Sequence, residues 1–141
     1  MIAQLITSFI ASAAFGIIFN APKNSLIKCG FVGMVGWVLY YYLVELNVDY
    51  VFATISASFV IAIFSHIFAK IYKTPMIIFS VAGIIPLVPG GLAYDAMRNF
   101  VENDYSEALP LAARAFMISG SIAIGLVFSE VINQVVRKPK V

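Results

Sequence analysis

The chain has 141 residues, of which 62% are apolar and only 11% are charged, and its mean hydropathy is +0.96. Soluble domains are about half apolar and about a quarter charged, so this composition excludes an ordinary soluble domain and a disordered chain. The net charge of +2 is too balanced to indicate a nucleic-acid partner. Because each membrane-spanning helix needs about 20 apolar residues, the length predicts a single all-α integral membrane domain over 1–141, with about five spans.

Five apolar segments follow one another along the sequence, separated by turn-forming or charged residues. The first contains an Ala-Ser-Ala string like that of a signal-peptide cleavage site, but no Lys or Arg precedes it, so we retain it as a span. The fifth begins with Pro110, a residue that suits the first turn of a helix. The predicted helices are 1–19, 25–44, 50–69, 75–101 with a break at 86–91, and 110–136.

The fourth segment is short, because only 15 residues run from Pro75 to Pro89. They would cover about 22 Å of a hydrocarbon core about 30 Å thick, so the segment is either a re-entrant loop or the start of a span that continues to Val101. The distribution of positive charge favours the longer span. With five crossings, one side of the membrane receives most of the basic residues, and only Arg98 lies in an opposite loop. The basic residues on the shared side are Lys23, Lys28, Lys70, Lys73, Arg137, Lys138 and Lys140. The positive-inside rule therefore predicts an outside amino end and an inside carboxyl end.

The fourth span is interrupted by the string Ile-Pro-Leu-Val-Pro-Gly-Gly. Pro86 and Pro89 each remove a backbone donor, and Gly90 and Gly91 relax the backbone that follows. Backbone groups freed in this way are tolerated in a membrane only where they are buried or line a wet cavity. A helix that begins at the two glycines would direct its N–H groups at the break, and such an end suits a carboxylate. A simple exit turn before an interfacial helix is the alternative.

One charged residue, Arg114, lies four residues past Pro110 and is expected within the bilayer. It would need a partner there, such as Asp95 or a substrate carboxylate, or would extend its side chain to the outer headgroups. Asp95 could instead pair with Arg98 or Asn99 on its own helix.

Ionisable residues near the inner ends of the spans are few. His66 could relay protons or simply pack, and Glu130 is expected to be a structural carboxylate at the membrane interface. A lone histidine and the lone Cys29 exclude a His or Cys metal cluster, and we find no phosphate-binding motif, nucleophile–base pair or carboxylate dyad. The sequence therefore predicts no metal, no cofactor and no enzymatic activity.

The Pro-Leu-Val-Pro-Gly string from Pro86 to Gly90 is followed by Tyr94 in a short amphipathic helix, Leu92–Val101. Together with the apolar spans and the basic tail, this pattern resembles the carboxyl-terminal membrane domain of the threonine/serine exporter family over essentially the whole chain. In that family the transporter is either one chain with two membrane halves or two separate subunits. The sequence resembles the small subunit of the split form.

The resemblance implies a subunit of a secondary transporter in the bacterial plasma membrane, working with a larger membrane subunit of the same family. It would export small carboxylate-bearing metabolites, threonine and serine first, by ion-gradient-driven alternating access. A dicarboxylate exporter subunit and a purely structural or assembly subunit are the alternatives. The coupling ion and any higher oligomer stay open. The candidate substrate-binding residues are Pro86, Pro89, Gly90, Gly91, Asp95 and Arg114.

Overall fold

A computed structural model of the chain describes residues 2–136, and every regular element in this range is helical. The α-helices are α1 (Ile2–Ile18), α2 (Leu26–Glu45), α3 (Tyr50–Tyr72), α4 (Met76–Gly83), α5 (Gly90–Val101) and α6 (Tyr105–Val136). Single 3-10 turns, Lys23–Ser25 and Ile85–Leu87, precede α2 and follow α4. The predicted all-α membrane class is confirmed. The basic tail at 137–141, on which the orientation argument partly rests, lies outside the described residues.

Three helices are long and apolar enough to cross a membrane: Lys23–Glu45, which is α2 with its preceding turn, α3 and α6. The segments Met76–Leu87 and Gly90–Val101 qualify together as a fourth span that is bent by 52°. α1 is apolar but has only 17 residues, about 26 Å of helix. Five crossings with an outside amino end therefore stay a prediction.

The break in the fourth span begins earlier than the sequence predicts. α4 ends at Gly83, so Pro86 lies in a 3-10 turn instead of an α-helix. The turn is closed by the Leu87 N–H, which donates to the Ile84 carbonyl at 2.9 Å. Val88 is extended, with φ −61° and ψ 129°, because the residue before a proline avoids the helical region. α5 then begins at Gly90, where the glycine pair predicts a helix start.

The structure also corrects the start of the last helix, which begins at Tyr105 and places Pro110 inside it. Asp104 explains the earlier start, because its Oδ1 accepts hydrogen bonds from the Glu107 N–H at 3.3 Å and the Ser106 hydroxyl at 3.1 Å. Such a side-chain cap satisfies backbone donors that the first turn leaves free. Proline in the second turn then removes only one intrahelical hydrogen bond.

Helices α3 and α6 are parallel neighbours. The contacts Tyr50–Met117, Phe59–Phe128 and His66–Glu130 advance in the same direction along both helices. At Gly125, a Cβ atom would lie 2.7 Å from the Ile55 carbonyl oxygen and 3.1 Å from the Phe59 nitrogen. Small residues permit such close backbone approach, which is how helices associate in lipid.

The buried core joins α2, α3, α4 and α6 and also holds the broken span in place. Leu87, in the 3-10 turn of the break, is buried in one cluster with Ile118 and Ile122 of α6. Helix α1 packs against α2 and buries its small residues Ser8, Ser12 and Gly16. The break is therefore anchored at its centre, between two segments that differ in direction.

Candidate functional site

A groove of about 390 Å³ lies beside the break, between α5 and α6. Its lining residues are apolar or small, and Ser119 contributes the one polar side chain among them. They are Val88, Pro89, Gly90, Ala93, Ala96, Met97, Phe100, Ala112, Ala115, Phe116 and Ser119. Two of the six candidate residues, Pro89 and Gly90, thus lie in the wall of the groove.

The glycine pair faces open space. A Cβ atom added to Gly90 or Gly91 would meet no atom within 4 Å, whereas a Cβ atom at Gly125 would collide with α3. Neither Gly90 nor Gly91 has a positive φ angle. Within residues 2–136, neither close packing nor an unusual backbone conformation therefore requires glycine at these two positions.

Backbone donors at the start of α5 point toward the break. The Gly90 N–H donates to the Val88 carbonyl at 2.9 Å, and the Ala93 N–H donates to the Pro89 carbonyl at 3.0 Å. The N–H groups of Gly91 and Leu92, which lie between them in the chain, have no backbone acceptor in the described part of the chain. Free N–H groups at a helix start favour a negatively charged group.

The polar residues of α5 interact along their own helix. Arg98 Nε lies 3.3 Å from Glu102 Oε1, and the Asn99 side-chain amide donates to the Asp95 carbonyl at 3.0 Å. Arg98 is therefore paired with Glu102 rather than with Asp95, and Asn99 bonds the backbone of Asp95 rather than its carboxylate. The side chain of Asp95 is exposed and is not part of the groove lining.

Arg114 has an aromatic partner. Its guanidinium lies over the ring of Tyr50, with 4.7 Å between Cζ and the ring centroid. Within residues 2–136, basic and acidic side chains meet at Arg98–Glu102 and His66–Glu130, so Arg114 and Asp95 are not paired. Arg114 is exposed and precedes the groove residue Ala115 directly. The structure thus places the Arg114 guanidinium over Tyr50, the first residue of α3, and not among the residues that line the groove.

The structure also brings together two residues that lie far apart in the sequence. His66 Nε2 lies 3.3 Å from Glu130 Oε2, across the interface between α3 and α6. The sequence held a signal for this pair, because both residues lie shortly before basic residues at the inner ends of spans that are predicted to be parallel. Among residues 2–136, no three His, Cys, Asp or Glu side chains are grouped as metal ligands.

Comparison with known proteins shows to which family the chain belongs. Residues 4–132 match the family model described as threonine/serine exporter, ThrE. A curated relative from Haemophilus influenzae, described as an uncharacterized protein, is 30% identical over 127 residues, which cover 88% of this chain and 43% of the relative. The chain thus spans less than half the length of that relative. No solved structure matches this chain. Because the family model covers most of the sequence, the chain belongs to the threonine/serine exporter family.

Proposed function

We propose that this chain is one membrane subunit of a secondary transporter that exports threonine and serine together with a second, larger membrane subunit. The match to the exporter family over residues 4–132 is the observation that carries the proposal. Membership in a transporter family accounts for the chain without an enzymatic reaction. An ion gradient would drive alternating access, because the sequence has no phosphate-binding motif for a nucleotide.

The substrate pathway would pass along the groove at the break. The free N–H groups of Gly91 and Leu92 would bind the substrate carboxylate, with Pro89 and Gly90 as the adjoining wall. This use of a helix start is common in transporters with broken helices, where irregular backbone lines the substrate cavity. Pro86 would hold the break in shape from within the 3-10 turn.

Two charged residues would act at the edge of this pathway. Arg114 would provide a second positive group for the carboxylate, since it is exposed and directly precedes a residue of the groove wall. Asp95 would be a proton-sensitive partner on the exposed face of α5. A charged side chain within a membrane segment commonly marks a substrate or ion route.

A second subunit would complete the pathway. The groove lining has a single hydroxyl, and an amino acid needs more polar partners than this to leave water. The relative from Haemophilus influenzae is more than twice as long as the matched region, so it has room for a second membrane half. If this chain crosses five times, a second half of opposite orientation would form an inverted repeat, as in many secondary transporters.

The proposed arrangement in the cell is a single five-span domain in a bacterial plasma membrane, with the amino end outside and the carboxyl end inside. The four spans that length and composition support, together with the shorter α1, would supply the crossings. The loops between α1 and α2 and between α3 and α4, which carry Lys23 and Lys73, would then lie in the cytoplasm.

Export from intact cells tests the proposal. Cells that produce the second membrane subunit, with and without this chain, are loaded with threonine, serine or succinate, and efflux is normalised to the subunit in the membrane. We expect threonine and serine efflux only when both proteins are present. Succinate efflux alone would favour a dicarboxylate exporter, since the same N–H groups would bind a dicarboxylate. Equal efflux with and without this chain would favour a structural subunit.

A further inference from the structure

The contact between His66 and Glu130 is an incompletely satisfied polar site between α3 and α6. The Nε2 and Oε2 atoms lie 3.3 Å apart, and the side chains are 17% and 47% exposed, respectively. His66 Nε2 is nevertheless buried and has no hydrogen-bond partner within residues 2–136. The two groups are thus close enough to share a proton, although their orientation in this state does not form a hydrogen bond. Buried polar atoms without partners are rare and call for an explanation.

Among the described residues, the acidic group that contacts the His66 imidazole is the carboxylate of Glu130. On α6, the Gln134 amide donates to Glu130 Oε1 at 3.4 Å. On α2, the Lys28 ammonium lies over the Tyr72 ring, 3.6 Å from its centroid. The Cys29 thiol of α2 contacts the Ile78 carbonyl, and α4 carries no ionisable side chain. Lys70 and Lys73, on and just after α3, are exposed beyond the pair.

We infer that His66 and Glu130 form the proton-binding site through which a proton gradient drives this exporter; the inference rests on the proposed function. A neutral imidazole beside a carboxylate carries one negative charge, and uptake of one proton gives an imidazolium–carboxylate pair without net charge. Because His66 Nε2 is buried between the helices, an uncompensated charge there costs far more than a compensated pair. Protonation therefore changes how α3 and α6 fit together at this point, and release of the proton reverses the change.

Helix α6 connects this site to the groove. The same helix carries Glu130 and the groove residues Ala112, Ala115 and Ser119. Ser119 and Glu130 are separated by about 16 Å of helix, and Gly125 lies between them where α6 packs closely against the backbone of α3. A rigid helix that shifts against α3 at one end must move the groove wall at the other. Proton uptake at the pair would thus alter the groove, which is the coupling an antiporter requires.

Two transport assays on one preparation test the inference. The complex with the second subunit is reconstituted in vesicles that contain the pH dye pyranine. Counterflow of labelled threonine is measured without a pH gradient, and net threonine transport is measured with one. We expect His66→Gln and Glu130→Gln to keep counterflow but to lose gradient-driven transport by about tenfold, together with the proton flux that accompanies it. The control Glu102→Gln removes the exposed pair with Arg98, also 3.3 Å apart, and should retain both activities.

The outcomes separate the inference from the proposed function. If the wild-type complex shows no counterflow of threonine or succinate, the proposed function is wrong and the inference falls with it. If the wild-type complex is active and both variants keep gradient-driven transport and proton flux, only the inference is overturned. Loss of counterflow in both variants would also contradict the inference. It would mean that the pair is a packing contact on which every transport step depends, with or without a pH gradient.

Discussion

The guanidinium of Arg114 stacks on Tyr50, with 4.7 Å between Cζ and the ring centroid, and the hydroxyl of the same ring donates to Met117 Sδ at 3.6 Å. Tyr50 is the first residue of α3, and Arg114 lies in the third turn of α6. Further along the same two helices, His66 faces Glu130. Polar contacts therefore connect the parallel helices at two separate levels along their interface.

Arg114→Gln should reduce threonine export, normalised to assembled complex, by about tenfold, because a hydrogen bond to a charged group contributes about 1.5–3 kcal/mol. Arg114→Lys keeps the charge over Tyr50 and should retain most of the export. Tyr50→Leu removes the cation–π contact, which contributes about 0.5–1 kcal/mol, together with the hydroxyl contact to Met117, and should have a smaller effect on export. Wild-type export by Arg114→Gln would mean that the side chain meets lipid headgroups instead of substrate.

Gly125→Ala should lower the free energy of unfolding by about 1–3 kcal/mol, because the new Cβ atom would press on the backbone of α3. Gly120→Ala is the matched control on the same helix, since a Cβ atom there meets nothing within 4 Å. Helix propensity favours alanine at such a position by about 0.5–1 kcal/mol, so this variant should be as stable as the wild type or slightly more stable. Thermal unfolding of the purified variants in detergent, followed by circular dichroism, measures both effects. Equal stability of the two variants would show that α6 does not approach α3 this closely.

The orientation of the chain can be read with reporter fusions. Fusions after Val141 and near Lys73 should report the cytoplasm, and fusions within 45–49 and near Asn103 should report the outside. The expectation follows from five crossings and from the concentration of Lys and Arg on one side. The same side reported after Val141 and within 45–49 would exclude an arrangement with five crossings.

The sequence is most informative where a residue type has a strong local effect. Composition predicts the helical membrane class, and the Pro-Gly string predicts the break, because proline and glycine act on the backbone wherever they occur. Pro110 alone predicts a start for α6 that is too late in the sequence. The helix begins at Tyr105 because the side chain of Asp104 caps its first turn. A side-chain cap competes with the positional preference of proline, and the sequence does not show which prevails.

Contacts between distant helices were harder to predict. The pairing of His66 with Glu130 and the stacking of Arg114 on Tyr50 both depend on α6 lying beside α3. The apolar pattern shows that the two spans exist. Because lipid tails are as apolar as the side chains, this pattern does not determine which spans are neighbours. For the same reason, the sequence does not show which of the candidate site residues lie together. Pro89 and Gly90 line the groove, whereas the Arg114 guanidinium lies over Tyr50 and the Asp95 side chain is exposed outside the groove lining.

The most direct test of the central claim is threonine efflux from the complex that carries Gly91→Val, normalised to the amount of assembled complex in the membrane. A Cβ atom at Gly91 meets no atom within 4 Å, so the thermal stability of the chain should match the wild type. If the start of α5 binds the substrate carboxylate, the variant should lose most of its efflux, while Gly120→Val, at another open position, keeps it. Wild-type efflux from Gly91→Val would contradict the account and leave the break as an exit turn.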